Sequence, residues 1–361
     1  MGADRRAERQ AGVRALLAAG GLEALLVAHL PNIRYLTGFT GSAALLLLRP
    51  RDALLITDSR YAEQAPAEVG DAAEVAIASA NVWERLRRAL AEQPDQVVGY
   101  EAHALTARDA ARLREAARRT APVDELVEGL RAIKAPEEIA AIRAAAALAS
   151  DALAEVLPGV HAGEPELAVA SRLEAALRRR GSEWHPFPTI VASGPRSALP
   201  HARTSARAIR PGEFLLLDFG AQVDGYCADL TRTVVVGGRA DERQRQVYEA
   251  VEAAQLRARR EIRAGMTGRE ADALARDLLA ARGFGEAFSH SLGHGLGLEV
   301  HEAPRLAATA DVRLPVGAVV TIEPGIYLPG WGGVRLEDDV ALAADGPVGL
   351  SDGRTELVEL V

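Results

Sequence analysis

Two aspartates stand on neighbouring segments that are both predicted to be β-strands. Asp218 lies near the end of the apolar run 212–220, and Asp229 lies on the next predicted strand. A tight turn centred on Val223 and Asp224, with Gly225 supplying any positive φ, places the two carboxylates opposite each other, and a one-residue bulge moves them only to a diagonal. Like charges directly opposite each other destabilise a sheet, whereas a cation bound between them would make the pair stabilising. The pair is consistent with a cation site; taken alone, it also allows one aspartate to face solvent.

Two glutamates repeat this arrangement further along the chain. Glu323 ends an apolar run, and Pro324 and Gly325 after it terminate a strand ladder. Glu337 lies on the following predicted strand, and a connection centred on Gly330 places it opposite Glu323. Because the neighbours of all four carboxylates belong in a core, the four are hard to explain as solvated charges. We therefore expect them to bind metal.

Three of the eight histidines, His290, His294 and His301, fall within twelve residues. His290 and His294 have the spacing of a metalloprotease helix, but no Glu follows His290, and the nearby glycines at 293, 295 and 297 would each cost a helix about 1 kcal/mol. A glycine-rich loop or strand is predicted instead. One histidine with several carboxylates favours Mn²⁺, Co²⁺ or Fe²⁺ without excluding Zn²⁺. Two acidic pairs supply enough oxygens for two ions about 3.5–4 Å apart.

The elements that must position these residues follow from apolar periodicity and helix-ending residues. Residues 1–127 alternate short strands with helices, an α/β domain, and residues 128–361 group helices around antiparallel strands, an α+β arrangement. Predicted strands are residues 22–28, 43–48, 53–57, 214–219, 226–236, 319–323 and 334–342; predicted helices are residues 5–19, 82–92, 107–119, 136–156, 164–180, 241–263 and 269–282.

Length and composition exclude several classes of protein. The 361 residues correspond to roughly two domains, and 48% hydrophobic with 25% charged residues is typical of a folded globular protein. A net charge of −8 argues against nucleic-acid binding. No apolar run reaches the roughly 20 residues that span a bilayer, and residues 1–10 lack the apolar run of a secretory signal. The single Cys227 cannot form an internal disulfide. We expect a cytoplasmic protein with no membrane partner.

The candidate residues resemble a known family, the pita-bread metallopeptidases, which include methionine aminopeptidase, aminopeptidase P and prolidase. The order and context of five residues are similar to those of the family's metal ligands: Asp218, Asp229, His294, Glu323 and Glu337. Residues 191–201 and 290–302 resemble the Xaa-Pro peptidases, and residues 32–39 and 57–61 resemble their creatinase-type N-terminal domain. The resemblance implies a pita-bread catalytic domain, residues 128–361, after a creatinase-type domain, residues 1–127.

The resemblance also implies a role for each residue in a hydrolase with two divalent metals, Mn²⁺ first, with Co²⁺ or Zn²⁺ as alternatives. Asp229 and Glu337 would bridge the metals, Asp218 would complete one, and His294 with Glu323 the other. Glu323 would accept the proton of the attacking water, His201 and His301 would stabilise the tetrahedral intermediate or protonate the proline nitrogen, and His290 would line the pocket after the cleaved bond. Arg335 would support the site or orient substrate; its alternative is to neutralise Asp338.

The implied substrates are small peptides with proline in the second position. A dipeptide ends in a carboxylate where a longer peptide continues, so a cation there would select dipeptides. Arg34 is the candidate for that cation, ahead of Arg49 and Arg203, and a solvated surface role is the alternative for each. Arg196 departs from the Asn expected in its motif. An Xaa-Pro dipeptidase is the leading hypothesis; aminopeptidase P and an inactive binding module are the alternatives, and a homodimer is expected.

Overall fold

The chain folds into two units in the computed structural model, one that ends at Arg131 and one that comprises Ala132–Val361. The structure describes residues 4–79 and 81–361; the first three residues of the N-terminal segment 1–10, and residue 80, lie outside the described residues. The predicted boundary after residue 127 falls within the last helix of the first unit, Leu126–Arg131. No described helix combines the length and apolar character that a bilayer crossing requires.

A mixed sheet of six strands forms the first unit, because short runs such as Leu25, Leu26 and Val27 are apolar on both faces and are buried on both. Its elements are α1 (Arg6–Ala19), β1 (Ala24–Val27), α2 (Leu30–Thr37), β2 (Ala44–Leu48), β3 (Ala53–Asp58), α3 (Gln64–Val69), β4 (Glu74–Ala78), α4 (Val82–Ala91), β5 (Val97–Glu101), α5 (Ala107–Ala116), β6 (Arg119–Val123) and α6 (Leu126–Arg131). The strand order is β4-β3-β2-β1-β5-β6. The α/β prediction is confirmed.

One predicted helix in this unit is too long. Residues 107–119 were expected to be helical, but α5 ends at Ala116, and Ala117 is already extended. Residues from Arg119 onward form β6, which pairs with β5 in parallel. Pairing with a neighbouring strand therefore overrides the helical periodicity of these last residues.

Helices pack around antiparallel strands in the second unit, as predicted. Its elements are α7 (Pro136–Val156), α8 (Glu166–Arg179), β7 (Ile190–Ser193), β8 (Glu213–Val223), β9 (Tyr226–Val236), α9 (Glu242–Glu261), α10 (Gly268–Ala281), β10 (Gly293–Gly295), β11 (Glu302–Leu306), β12 (Val319–Ile322), β13 (Gly325–Leu328), β14 (Gly332–Arg335), β15 (Asp338–Ala343), β16 (Gly346–Gly349) and β17 (Glu359–Leu360). The sheets run β17-β9-β8-β7, β11-β10-β12-β15-β16 and β13-β14. One apolar core joins α7 and α8 to β8 and β9, and another joins α9 and α10 to β12, β14 and β15.

The hairpin of β8 and β9 has a different register from the predicted one. Its two turn residues are Asp224 and Gly225, both with positive φ (50° and 79°), so the turn lies one residue later than expected. This Asp-Gly pair is the preferred sequence for a two-residue hairpin turn. Asp218 consequently pairs with Thr231, and Asp229 pairs with Gly220. The two aspartates are diagonal neighbours on one face rather than directly opposite.

The second carboxylate hairpin keeps its predicted register but is split between two sheets. Ile322 pairs with Asp338 in one sheet, and Gly325 pairs with Arg335 in the other. Pro324 has no amide hydrogen to donate to a ladder. The amide of Glu337 donates instead to the carbonyl of Thr231 on β9, 3.1 Å away. The break therefore joins this hairpin to β9 beside Asp229.

Candidate active site

The break in the second hairpin, β9 and β10 together assemble a cluster of carboxylates and one histidine. One donor atom from each of Asp229, His294 and Glu337 lies within 4.8 Å of the other two. His294 Nε2 lies 3.3 Å from Glu323 Oε1 and 3.9 Å from Asp229 Oδ2. Asp218 is held on the same face of the sheet by Arg335, whose Nη2 is 2.5 Å from Asp218 Oδ2. The five residues proposed from the sequence as ligands thus come to one site.

Burial, followed by the close approach of like charges, determines the electrostatics of this site. Burial, together with the charges of Glu337, Asp218 and Glu323, raises the pKa of Asp229 well above its usual range. Burial, with the charges of Glu323 and Asp218, likewise raises the pKa of Glu337 well above its usual range. Burial also raises the pKa of Asp218, although the Arg335 charge opposes it. These carboxylates therefore bind protons unusually tightly unless another cation takes the place of the protons.

Glu323 and His294 behave in the opposite way because they stabilise each other as an ion pair. Burial acts to raise the pKa of Glu323, but the hydrogen bond from His294 and its charge outweigh burial and lower it. Burial acts to lower the pKa of His294, but the bond to Glu323 and its charge raise it. Glu323 is therefore the carboxylate of the cluster that most readily stays ionised.

The donor set fits divalent metal ions. Asp229 Oδ1 is buried and has no hydrogen-bond partner among the described residues. Asp229 Oδ2 and one oxygen of Glu337 face His294 within a distance that a single ion can bridge. Carboxylate oxygens with one imidazole are the ligands of catalytic Mn²⁺, Co²⁺ and Zn²⁺ sites. A cation here would offset the repulsion that raises the carboxylate pKa values.

Three further histidines surround the cluster. His290 is partly buried, with Nε2 2.7 Å from the Tyr327 hydroxyl, and burial lowers its pKa. His301 packs against His294 with the rings tilted by 56° and their centroids 4.3 Å apart, and burial together with the charge of His294 lowers the pKa of His301. His201 is exposed, and its charge reaches Asp218. Two of the histidines are therefore neutral at physiological pH and able to donate a hydrogen bond.

Arg335 supports the cluster from beneath. Its side chain is 3% exposed, and it donates to Asp218, to the Tyr327 hydroxyl (2.8 Å) and to Thr231 Oγ1 (3.1 Å). The alternative role, neutralising Asp338, is wrong.

Asp338, the carboxylate that Arg335 was expected to neutralise in that alternative, has other partners. It pairs instead with Arg232 at 2.9 Å and with Arg259 at 3.0 Å. The break in the hairpin explains the difference, because Arg335 ends β14 and Asp338 begins β15, and these two strands belong to different sheets.

Sequence reasoning missed Tyr327, Thr231 and Asp339. The Thr231 hydroxyl donates to Glu337 Oε2 (2.6 Å), and Asp339 Oδ2 accepts from the amide of Asp229 (3.2 Å). Burial raises the pKa of Asp339 well above its usual range. Thr231 and Asp339 each lie two residues from a proposed ligand, on the same strand face, so period-two alternation could have identified them. Tyr327 required the register of the second hairpin.

Arg34, the proposed substrate-selecting arginine, lies in the last turn of α2, in the first unit, whereas the five candidate ligands belong to the second.

Arg196, the departure from the family motif, has a structural partner: its Nε lies 3.1 Å from Oε2 of the fully buried Glu166. Arg196 also donates to the carbonyl of Arg203. Arg196 therefore neutralises a buried carboxylate.

Comparison with known proteins gives matches to both units. Residues 140–344 match the model of metallopeptidase family M24, and residues 9–133 match that of the creatinase/prolidase N-terminal domain. An Xaa-Pro dipeptidase from Pyrococcus furiosus is 42% identical over 236 residues, which are 65% of this chain and 68% of the relative. A solved Xaa-Pro dipeptidase from Bacillus anthracis is 40% identical, with a TM-score of 0.95 over 98% of this chain and 100% of that one. A solved X-Pro aminopeptidase from Thermotoga maritima is 35% identical, with a TM-score of 0.90 over 97% and 99%.

Proposed function

The chain belongs to metallopeptidase family M24, and we propose that it is an Xaa-Pro dipeptidase, a prolidase that hydrolyses the bond between an N-terminal residue and proline. The observation that carries the proposal is the buried cluster in which Asp229, His294 and Glu337 offer donor atoms within 4.8 Å of one another. The similarity to solved and curated Xaa-Pro dipeptidases supports the substrate class.

The proposed metal ligands are the five residues of the cluster. Asp218, Asp229, His294, Glu323 and Glu337 would together hold two divalent ions. Divalent ions in such a site act as Lewis acids that polarise a scissile carbonyl and make a water molecule more acidic. Arg335 positions Asp218, since its guanidinium holds Asp218 Oδ2.

Side chains of this chain supply the proton transfers. Glu323 stays ionised because the hydrogen bond and charge of His294 outweigh the effect of burial and lower the pKa of Glu323. His294 contacts only Oε1 of this carboxylate, so Oε2 is available to accept a proton. Glu323 is accordingly the proton acceptor for the attacking water. His301, whose pKa is lowered, donates a hydrogen bond to the oxyanion that develops at the carbonyl. His201 protonates the departing proline nitrogen.

His290 is proposed to line the proline pocket. Its Nε2 is tied to the Tyr327 hydroxyl, which in turn accepts from Arg335 Nη1, so the imidazole is fixed in orientation. Tyr327 is buried, and burial raises its pKa to about 12. The phenol therefore remains protonated and can donate to His290 at any physiological pH. A pocket with a fixed, neutral imidazole suits an apolar ring beside an amide nitrogen.

Two alternatives remain distinct proposals. An aminopeptidase P, acting on longer Xaa-Pro peptides, is favoured by the similarity to the Thermotoga maritima X-Pro aminopeptidase. Arg34 is the proposed cation for the carboxylate of a dipeptide, and it discriminates between the two activities. An inactive binding module would not need the five ligands, all of which are present.

The proposal extends to metal, location and assembly. Mn²⁺ is the proposed native ion, because the donor set is rich in oxygen, with Co²⁺ or Zn²⁺ as alternatives. A cytoplasmic location is supported by the single, buried cysteine, which leaves the fold independent of an oxidising compartment. A homodimer is proposed from the family resemblance, and the substrates are small peptides with proline second.

One assay tests the activity. The protein is treated with chelator, reconstituted separately with Mn²⁺, Co²⁺ or Zn²⁺, and assayed for alanine release from Ala-Pro and from Ala-Pro-Gly-Gly. We expect metal-dependent cleavage, faster on the dipeptide, and loss of activity in Glu323→Gln but not in the control Asp277→Asn, whose side chain is exposed. Equal rates on both peptides would replace the dipeptidase with the aminopeptidase. Unchanged hydrolysis by Asp229→Asn would refute the metallopeptidase mechanism.

The role of Arg34 is tested on the same two substrates. Arg34→Ala should raise KM for Ala-Pro about tenfold or more, because a charge-assisted contact to the substrate carboxylate is lost. KM for Ala-Pro-Gly-Gly should not change, since that peptide has no carboxylate at the same position. Arg51→Ala, an exposed arginine of the same unit, is the control. Equal effects on both peptides would assign Arg34 a structural role.

A further inference from the structure

The first unit contains a second cluster of metal-type donors. His29 precedes α2, His103 follows β5, and Glu128 lies in α6. These residues are 74 and 25 positions apart in sequence, yet one donor atom of each lies within 4.8 Å of the other two. None of them belongs to the carboxylate cluster of the second unit. The proposed hydrolysis of Xaa-Pro bonds uses none of the three.

The distances suit a single tetrahedral ion. His103 Nε2 is 3.1 Å from Glu128 Oε1, and His29 Nδ1 is 3.5 Å from the same oxygen. Ligands bound to Zn²⁺ at about 2.0–2.1 Å in a tetrahedron are separated by about 3.3 Å. Both measured separations bracket this value. The two imidazole rings lie nearly perpendicular, at 84°, with centroids 5.3 Å apart, so their nitrogens can approach one point without the rings colliding.

Buried neighbours hold the carboxylate ligand in place. Asn32 Nδ2 donates to Glu128 Oε1 at 2.5 Å and to Glu101 Oε1 at 2.6 Å, and Arg131 Nη1 donates to Asn32 Oδ1 at 2.8 Å. This last bond fixes which end of the Asn32 amide faces the carboxylates. Asn32 is fully buried. Outer hydrogen bonds of this kind orient ligands in metal sites.

The same network holds the first histidine. Glu101 Oε2 accepts the backbone amide of His29 at 2.8 Å, which fixes the backbone from which this imidazole projects. Burial raises the pKa of Glu101, and the charge of Glu128 adds to the effect. A cation beside Glu128 would reduce that repulsion.

Glu128 itself has an incompletely satisfied carboxylate. Its Oε2 is buried and has no hydrogen-bond partner among the described residues. Burial acts to raise the pKa of Glu128, but the hydrogen bonds from His29 and Asn32 outweigh burial and lower the pKa to about 2. The unpaired Oε2, beside an Oε1 that faces both imidazoles, leaves this carboxylate with acceptor capacity that a cation would fill.

We propose that His29 Nδ1, His103 Nε2 and Glu128 Oε1 bind one divalent transition-metal ion, with Zn²⁺ the ion that this set of two imidazoles and one carboxylate favours. The fourth ligand is water, because His103 is exposed and opens the site to solvent. The ion connects three segments that meet in the first unit: the start of α2, the end of β5 and α6. It differs in donor type from the oxygen-rich cluster of the second unit.

Metal content of the full-length enzyme tests this site. Wild type and variants are equilibrated with Zn²⁺ against a chromophoric chelator, and Zn²⁺ per chain is measured by mass spectrometry. Wild type should bind one equivalent more than His103→Gln and Glu128→Gln. The control His161→Gln, an exposed histidine, should match wild type. Equal Zn²⁺ content in wild type and His103→Gln would overturn the proposal, leaving a hydrogen-bonded pair of imidazole and carboxylate.

Exchanging one proposed ligand for another type of ligand distinguishes loss of metal binding from loss of folding. His103→Cys replaces the imidazole by a thiolate, which is also a Zn²⁺ ligand, so the lost equivalent should return. With Co²⁺ as the probe, this variant should show thiolate-to-Co²⁺ charge-transfer absorption that wild type and His103→Gln lack. Absence of the band in a folded His103→Cys protein would contradict the site. Hydrolysis of Ala-Pro is measured in parallel. Its result tests the proposed function separately, because none of the three proposed ligands belongs to the proposed active site.

Discussion

Replacing Asp229 by Asn should separate metal binding from folding stability. The substitution keeps the shape of the side chain and removes one negative charge from a buried cluster. Asp229 and Glu337 have donor atoms within 4.8 Å of each other, so at an effective dielectric constant near 20 their carboxylates repel by about 3 kcal/mol or more. Uptake of a proton limits this penalty, since protonating a group of pKa about 4 at pH 7 costs about 4 kcal/mol.

The metal-free variant should therefore be more stable than metal-free wild type. Part of the relieved repulsion is offset because the new amide is buried with partners suited to a carboxylate, at a cost of about 1–2 kcal/mol. We expect a net gain of about 1–2 kcal/mol in the free energy of unfolding after these opposing effects. Asp277→Asn, an exposed control, should change it by less than about 0.5 kcal/mol.

Urea unfolding in the presence and absence of metal measures both effects. Tryptophan fluorescence and circular dichroism are followed in chelator at pH 7 and again with Mn²⁺. Mn²⁺ at a hundred times its dissociation constant should stabilise wild type by about 2.7 kcal/mol per site and should stabilise Asp229→Asn much less. The order of stability then reverses between the two conditions. A metal-free Asp229→Asn protein less stable than wild type, or equal stabilisation of both by Mn²⁺, would refute the reasoning.

Further predictions concern the raised carboxylate pKa values, two glycine positions and Tyr327. Since burial and neighbouring carboxylates raise the pKa of Asp229 and Glu337, the metal-free protein should lose stability as pH rises from the unfolded pKa near 4 through the raised folded values. Mn²⁺ binding near neutral pH should release protons, seen as buffer-dependent heats in calorimetry, and proton-independent heats would contradict the shifts. Gly225→Ala should lower the free energy of unfolding by about 1–2 kcal/mol because its φ is 79°, whereas Gly129→Ala, in a helix with open space around it, should raise it by about 0.5–1 kcal/mol; denaturant titration measures both. Tyr327→Phe should cost about 1–3 kcal/mol, since it leaves buried polar partners unpaired, and should lower kcat/KM on Ala-Pro; an unchanged kcat/KM would remove His290 orientation from the mechanism.

Local sequence signals predicted most elements of the second unit. Pro136 and the acidic residues after it marked the start of α7, and the Pro158-Gly159 pair marked its end. The register of the second hairpin followed from the turn around Gly330, whose φ is 78°. Helix ends and turns depend on a few neighbouring residues, so they can be recognised directly in the sequence.

The first hairpin shows where local reasoning fails. A shift of the turn by one residue, from Val223-Asp224 to Asp224-Gly225, moves every pair along the ladder by two positions. Asp218 and Asp229 still share a face because two positions preserve the alternation of side chains. The two aspartates therefore lie on one face despite the incorrect register, since parity determines the face and the turn determines only the distance.

Contacts between distant segments could not be predicted from adjacency. Thr231 joins Glu337 from 106 residues away, and Arg335 joins Asp218 from 117 residues away. Both contacts exist because Pro324 interrupts the second hairpin and leaves the amide of Glu337 to pair with β9. A proline can be recognised in the sequence, but the strand to which the interrupted hairpin then turns depends on the packing of the whole unit.

The two faces of residues 337–339 favour a metal site over a structural ion-pair network at the acidic cluster. Asp338 is fully buried, and Arg232 and Arg259 neutralise it from within the protein. Its neighbours Glu337 and Asp339 point to the opposite face, where Asp339 Oδ1 has no hydrogen-bond partner among the described residues. Buried carboxylates without a cation are costly to retain. On the second face Arg335 and His294 are fewer than the carboxylates around them, so we expect a bound cation to supply the remaining positive charge.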